Sequence, residues 1–340
     1  MKKIERRQFL TWMTALTAGI LVSGQTKESK AAGLSDRDRL GETLPKRRLG
    51  RTGEAVTMLG VGGWHIGDIS SDRDAQETIE AALEGGVRFF DNAESYQQGA
   101  SESRFGRLLT PKYRDDIYLM TKTFSRDGDT AREHLEGSLR RLRTDHLDLW
   151  QVHTLLSAKD VDSRIEKGVF DVMIEAKESG KVRHIGFTGH SWPHAHQRVL
   201  ERSDIFDTCQ MPINLADPSY GRDGSFIKGV LPTLVERDIG ALAMKTLANS
   251  SFFGGSKHVE YGRSPTIVPN LVSLADALHF VWSLPISVLI TGAENATQIK
   301  EKIALAQSFV AMDELQREAL IEKVADVAGY LAEPYKNSSL

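Results

Sequence analysis

The chain has 340 residues, room for one large domain or two ordinary ones, and its 40% hydrophobic and 26% charged composition is that of a globular protein rather than a low-complexity one. A single cysteine, Cys209, excludes an intrachain disulfide, a cysteine-held iron–sulfur cluster and a multi-cysteine zinc site, so any redox chemistry must come from a bound cofactor. With 43 basic and 46 acidic residues the formal charge is −3, and without a basic block nucleic acid is not expected as a partner.

The first element in chain order reads as an address. Lys2, Lys3, Arg6 and Arg7 precede a mostly apolar run, Leu10 to Val22, and Ala31–Ala32 supplies small residues suited to cleavage after Ala31. The run is shorter than the roughly 20 residues a bilayer span needs, so no permanent membrane span is expected. The segment Glu5-Arg6-Arg7-Gln8-Phe9-Leu10-Thr11 is similar to the twin-arginine export signal, a route that carries folded proteins. That resemblance implies the twin-arginine export machinery as a partner and a periplasmic or extracellular destination. Removing residues 1–31 leaves 37 basic and 44 acidic residues, a charge of −7. Residues 32–43 are expected to be a linker, and 44–335 a single domain.

From Val56 onward, short β-rich runs alternate with longer amphipathic segments. A hairpin is expected over Leu44–Thr57. Strands are expected at Val56–Gly62, Arg88–Asp91, Ile117–Thr121, Leu147–His153, Val182–Thr188, Thr208–Pro212, Ala241–Met244 and Ser287–Ile290. Between and after them, helical spacing marks Ala75–Glu84, Ser101–Leu109, Thr130–Leu142, Ile165–Ser179, His194–Arg202, Phe226–Arg237, Leu271–Val281 and Ala296–Ala306. Eight such units in roughly 250 residues are the arithmetic of an α/β (β/α)8 TIM barrel, with Asp313–Leu331 as an extra C-terminal helix. A doubly wound open sheet is the runner-up, and no G-x-G-x-x-G opens a helix after the first strand.

Chemistry in such a barrel sits at the C-terminal ends of the strands. Here the second strand ends in Asp91, the third in Lys122 and the fourth in His153. The fifth ends in Thr188-Gly189-His190, the sixth carries Gln210, the seventh ends in Met244-Lys245 and the eighth in Thr291-Gly292. Each polar tip alone has a bland reading as a surface charge or a satisfied histidine. Carboxylate, ammonium and imidazole on three successive strands point to one polar site.

Phe89-Phe90-Asp91-Asn92-Ala93-Glu94-Ser95-Tyr96, followed by Lys122 and His153, resembles the aldo/keto reductase superfamily, whose Asp, Tyr, Lys and His tetrad falls in this order. Leu49-Gly50-Arg51-Thr52-Gly53, Gly180-Lys181-Val182-Arg183-His184-Ile185-Gly186 and Gly292-Ala293-Glu294-Asn295 extend the resemblance from Leu49 to about Lys302. The resemblance implies hydride exchange between a nicotinamide cofactor and a small carbonyl or alcohol substrate. Tyr96 would be the proton donor, Lys122 the cation that lowers its pKa, Asp91 the partner of Lys122, and His153 the hydrogen-bond donor to the substrate oxygen. For the cofactor it implies Thr188 or His190 with Gln210 at the carboxamide, Met244 under the nicotinamide, and Lys245 at a phosphate. Gly292, Gln298 and Lys302 would lie at the adenosine end. Gly189 stands where relatives carry a gripping amide. NADP is expected ahead of NAD.

His190, His194 and His196 have spacing that suits zinc or copper, but no carboxylate or thiol stands near in sequence and no metal is expected. Trp64, His65 and Trp192 are expected at the pocket mouth. Two rival classes are a cofactor-binding accessory barrel with little turnover and a phosphate-dependent barrel isomerase using Gly254-Gly255.

Overall fold

In a computed structural model describing residues 36–253, 266–268, 270–329 and 332–336, eight parallel strands close into a barrel. They are β1 (Leu59–Gly62), β2 (Phe89–Asp91), β3 (Tyr118–Thr123), β4 (Leu147–Val152), β5 (Val182–Thr188), β6 (Thr208–Pro212), β7 (Gly240–Met244) and β8 (Val288–Thr291). Each pairs with its chain neighbour, and β8 closes on β1 through Leu289 opposite Leu59. The segment read as an export signal, 1–31, and Gly254-Gly255 lie outside the described residues.

Period-two alternation sorts these strands' side chains. Phe89, Tyr118, Met120, Leu149, Leu242, Val288 and Ile290 point inward and form one apolar cluster, stacked Phe89 and Tyr118 having centroids 5.2 Å apart. Their neighbours Phe90, Leu119, Trp150, Cys209, Met211 and Leu289 point outward into a second cluster beneath the helices. A hairpin of 46–48 against 55–57 floors the barrel, and its Leu49 and Val56 join the inner cluster. A smaller hairpin, Arg37–Asp38 against Gly41–Glu42, lies ahead of it in the stretch expected as linker.

The helices that matter for the site are α1 (Asp72–Glu84), α2 (Ala100–Leu108), α3 (Gly128–Leu142), α4 (Ala158–Glu166), α5 (Val169–Glu178), α6 (Pro193–Arg202), α7 (Leu231–Glu236), α8 (Leu274–Trp282), α9 (Ala296–Gln307) and α10 (Glu314–Val324). Ser71, Asp127, Ser157 and Asn295 cap the starts of α1, α3, α4 and α9, each side chain accepting the backbone N–H three residues on.

Several expected elements divide or shorten. Val56–Gly62 is not one strand: Thr57 ends the floor hairpin, and Leu59 begins the barrel. Ile165–Ser179 breaks into α4 and α5 because Gly168 takes φ +78°, a left-handed conformation that ends one helix and opens the next. Phe226–Arg237 breaks into a single turn, Phe226–Gly229, and α7, where Pro232 has no N–H to continue the first ladder. The C-terminal helix stops at Val324, short of Leu331, in a turn where the Val327 and Ala328 amides share the Val324 carbonyl.

Phe89→Ala removes the ring that fills the barrel between Gly60 and Tyr118. The expected cost is about 3–5 kcal/mol of folding stability, read from denaturant unfolding.

Candidate active site

The alternation that fills the barrel also builds its polar mouth. Asp91 lies two residues beyond inward-facing Phe89, Lys122 two beyond Met120, His153 four beyond Leu149, and Met244 two beyond Leu242. Each therefore points inward one layer above the apolar cluster. Tyr96 comes from the loop after β2, turned back by a hydrogen bond from its N–H to the Ala93 carbonyl at 3.1 Å, with Gln97 and Gln98 left-handed beyond it. Glu94 fixes this loop by accepting from the Ser95 N–H at 2.6 Å and the Phe124 N–H at 2.7 Å.

Lys122 is the hub. Its fully buried ammonium pairs with the Asp91 carboxylate and donates to the Asn92 carbonyl at 2.7 Å and the Tyr96 hydroxyl at 3.2 Å. Burial opposes its charge, but the attraction of Asp91 and Tyr96 outweighs this and holds its pKa above the usual lysine value. Burial raises the Asp91 carboxyl against the pull of Lys122 and of a hydrogen bond from Gln210. Burial likewise raises Tyr96 despite Lys122, so the cation moderates the phenol's pKa without bringing it below its ordinary value. His153 sits across the mouth, its ring 5.8 Å from that of Tyr96 and its Nδ1 3.3 Å from the Ser95 hydroxyl. Burial first, and then the charge on Lys122, depress its pKa far below the ordinary histidine value, so it is neutral at physiological pH.

A cavity of about 470 Å³ opens over these groups. Asp91, Tyr96, His153, His190, Gln210, Met244, Lys245, Gly292 and Lys302 all reach its wall, as do Trp64 and His65. Gln210 Oε1 and His190 Nδ1 are buried polar atoms with no partner, as expected of groups awaiting a ligand. Burial lowers Lys245 and Lys302, also on this wall, to about 8 each. The Lys302 ammonium donates to the Gly292 carbonyl, and a Cβ at Gly292 would meet the His65 ring, which would have to move to admit it.

Three expected residues are placed elsewhere. Thr188 is buried at the end of β5 with its hydroxyl unpartnered and does not reach the cavity wall. Gln298 also stays off the wall and accepts the Glu294 N–H at 2.9 Å. Trp192 precedes α6 and stacks on His194 at 6.3 Å, away from the mouth. His196 packs between Phe187 and Phe226, so the three spaced histidines do not converge. Among the described residues no group of three His, Cys, Asp or Glu side chains is placed to hold a metal.

Residues 58–316 match the aldo/keto reductase family. The chain belongs to that family. Aldo-keto reductase YhdN of Bacillus subtilis (strain 168) is 30% identical over 220 residues, covering 60% of this chain and 62% of that protein, so the match spans somewhat under two thirds of it. L-galactose dehydrogenase of Arabidopsis thaliana is 24% identical over 317 residues, 86% of this chain and 95% of that one. The structure of aldo-keto reductase AKR11C1 from Bacillus halodurans, in its holo form, shares the fold with a TM-score of 0.69 at 23% identity, over 86% of this chain and 99% of that one.

Within this aldo/keto reductase, several residues that shape the site were not singled out from sequence. Glu94 lies between Asp91 and Tyr96, and a carboxylate so close to a strand end is a signal the sequence carries. Asn214 was not legible: its amide reaches the Lys245 carbonyl at 3.3 Å, the Glu333 carboxylate at 2.7 Å and the Tyr335 hydroxyl at 3.0 Å, tying the C-terminal segment to the β7 loop. Thr154, directly after His153, has φ +52°, a conformation costing about 1–3 kcal/mol for a β-branched residue.

His196 is held neutral by burial, its pKa lowered to about 4. The unfolded chain protonates this group from about pH 6.5 downward, so its contribution to stability is complete above that value and declines as the pH falls toward 4. Melting temperatures between pH 7 and pH 5 are expected to fall less steeply in His196→Gln than in the parent.

Proposed function

We propose that the chain is an oxidoreductase that exchanges hydride between a nicotinamide cofactor and a small carbonyl or alcohol substrate, with Tyr96 as the proton donor. The observation that carries this reading is the Lys122 ammonium, 3.2 Å from the Tyr96 hydroxyl and paired on its other side with Asp91, in a cavity shared with His153. A dinucleotide fits the donor set: the unpartnered Gln210 and His190 atoms suit a carboxamide, Met244 offers a soft platform, and Lys245 and Lys302 offer cations for its phosphates. The bound cofactor would supply the hydride.

The chain's own groups handle the proton and the charge. A carbonyl oxygen held between the Tyr96 hydroxyl and the His153 imidazole gains negative charge as it is reduced. The tautomer in which Nδ1 accepts from Ser95 carries the His153 proton on Nε2, from which the ring would donate toward that oxygen. Tyr96 is fully protonated at neutral pH and transfers its proton to the oxygen; the phenolate left behind faces the Lys122 ammonium at hydrogen-bond distance. Asp91 and the Asn92 carbonyl keep that ammonium aimed at the phenol.

Burial weakens the hold of Lys245 and Lys302 on their protons, and a phosphate beside either would strengthen it; a 2′-phosphate at Lys302, the adenosine-end candidate, supports NADP over NAD. In Tyr96→Phe, reduction of a small aldehyde is expected to fall about 10²- to 10⁴-fold while NADPH binding, followed by tryptophan fluorescence, stays within about twofold. Full activity in the variant would sink the mechanism. Equal dissociation constants for NADPH and NADH would sink the NADP preference.

We further propose that residues 1–31 direct the folded protein, with its cofactor aboard, through the twin-arginine route to the periplasm or beyond. The paired arginines followed by Gln8-Phe9-Leu10 support it. Replacing Arg6 and Arg7 together by lysine is expected to retain the full-length precursor in the cytoplasm. Unchanged export would refute this reading.

A further inference from the structure

His153 is carried on a turn that its own residues do not favour. The chain leaves β4 at Val152, and Thr154 then takes φ +52°, from which a β-branched residue relaxes readily to negative φ. The amides of the turn are held by its surroundings: His153 N–H donates to the Thr123 carbonyl at 2.8 Å, Leu155 N–H to the Thr188 carbonyl at 2.8 Å, and Leu156 N–H to the Asp160 carboxylate at 3.1 Å.

The carbonyls are held by one side chain. Arg164, on α4 and fully buried, donates from Nη1 to the His153 carbonyl at 2.9 Å and from Nη2 to the Thr154 carbonyl at 3.0 Å. Its Nε lies 3.2 Å from Asp160 Oδ1, so the fork is itself aimed. The same guanidinium sits 5.7 Å from the Phe124 ring, whose edge meets the His153 ring at a centroid distance of 6.2 Å. Arg126 stands closer over the Phe124 ring, at 4.7 Å, so the grip on the two carbonyls is the contact particular to Arg164. A buried arginine is expensive to desolvate, and an apolar side chain would pack there at less cost. A rigid planar fork suits two successive carbonyls, one nitrogen to each, in a fixed geometry that a flexible ammonium does not impose.

We propose that Arg164 is a positioning residue for the reaction: by gripping the carbonyls of His153 and Thr154 together, it holds the strained turn and so aims the His153 imidazole into the cavity. The inference rests on the reading that His153 acts on the substrate oxygen. Without the fork, Thr154 relaxes, the peptide joining it to His153 rotates, and the imidazole leaves its line toward Tyr96.

Arg164→Met removes the fork and keeps an apolar stem. With a small aldehyde, kcat is expected to fall about 10- to 100-fold, the scale of a misplacement of about 1 Å, while the dissociation constant for NADPH changes less than about threefold. Arg164→Lys, which can reach one carbonyl at a time, is expected to fall between the two. In a Thr154→Gly background the same substitutions are expected to cost less than about fivefold, because glycine adopts positive φ without strain and has nothing to relax. Equal losses in both backgrounds, or an unchanged kcat, overturn the proposal. If Arg164→Met does not fold, Arg164→Lys decides by the same comparison.

A second readout needs no turnover. In protein labelled at histidine, the His153 imidazole signal, assigned by its absence in His153→Gln, is expected to shift or broaden in the Arg164 variants and to recover when Thr154→Gly is added. A signal that stays in place overturns the proposal. Parent protein without aldehyde turnover would sink the proposed reaction, while the imidazole signal would still decide whether Arg164 aims His153.

Discussion

The buried pair of Lys122 and Asp91 is the constraint on which the rest of the site depends. An ammonium that is 1% exposed is tolerable only with a carboxylate and further acceptors in place, and removing one partner from such a pair typically costs about 3–5 kcal/mol. Both groups come from adjacent strands, and the register that sets Asp91 opposite Met120 puts the carboxylate beside the lysine two residues further on. Any slip of β2 against β3 by one residue would turn one of the pair into the apolar layer beneath the helices. The inner apolar cluster of Phe89, Tyr118 and Met120, directly below, is what makes that register unique.

From this pair the electrostatics spread outward in a graded way. The Lys122 charge is satisfied, so its effect on neighbours is to disfavour further positive charge: it contributes, after burial at His153 and after burial and Lys245 at His190, to keeping both rings neutral. Burial holds Lys245 and Lys302, on the same cavity wall, well below the usual lysine value. The cavity thus joins a charge-balanced cluster suited to proton transfer to two desolvated cations that gain from a negatively charged ligand.

The parts of this arrangement that follow a two-residue period were legible in the sequence. Asp91, Lys122 and His153 stand at the ends of apolar runs, and once eight such runs are recognised their inward direction follows from the pleat. What was not legible depends on backbone conformations the period does not encode. The split at Met58 arises because the floor hairpin and the first barrel strand are continuous in hydrophobicity, and the helix breaks at Gly168 and Pro232 fall inside runs whose apolar spacing stays helical across them. The resemblance implies Thr188 or His190 at the carboxamide, and His190 lines the cavity whereas the Thr188 hydroxyl is buried off its wall. Arg164 gave no signal, since an Asp and an Arg four apart are an ordinary helix-surface pair until α4 is seen to press them onto the His153 turn.

Strain in this fold is distributed unevenly. Gln97, Gln98, Thr154, Lys245, Ala248, Asn249 and Ser250 all have positive φ, and all lie in loops leaving the C-terminal ends of β2, β4 and β7. Such conformations persist only where the surroundings over-determine them. At β4 the over-determining group is the Arg164 fork. At β7 it includes Asn214, which joins the Lys245 carbonyl to Glu333 and Tyr335, with Lys336 paired to Asp217 at 2.6 Å beneath them. The barrel supplies a floor packed by period-two alternation, and buried polar clamps from neighbouring segments supply the force that keeps its mouth in conformations the loops would not adopt alone.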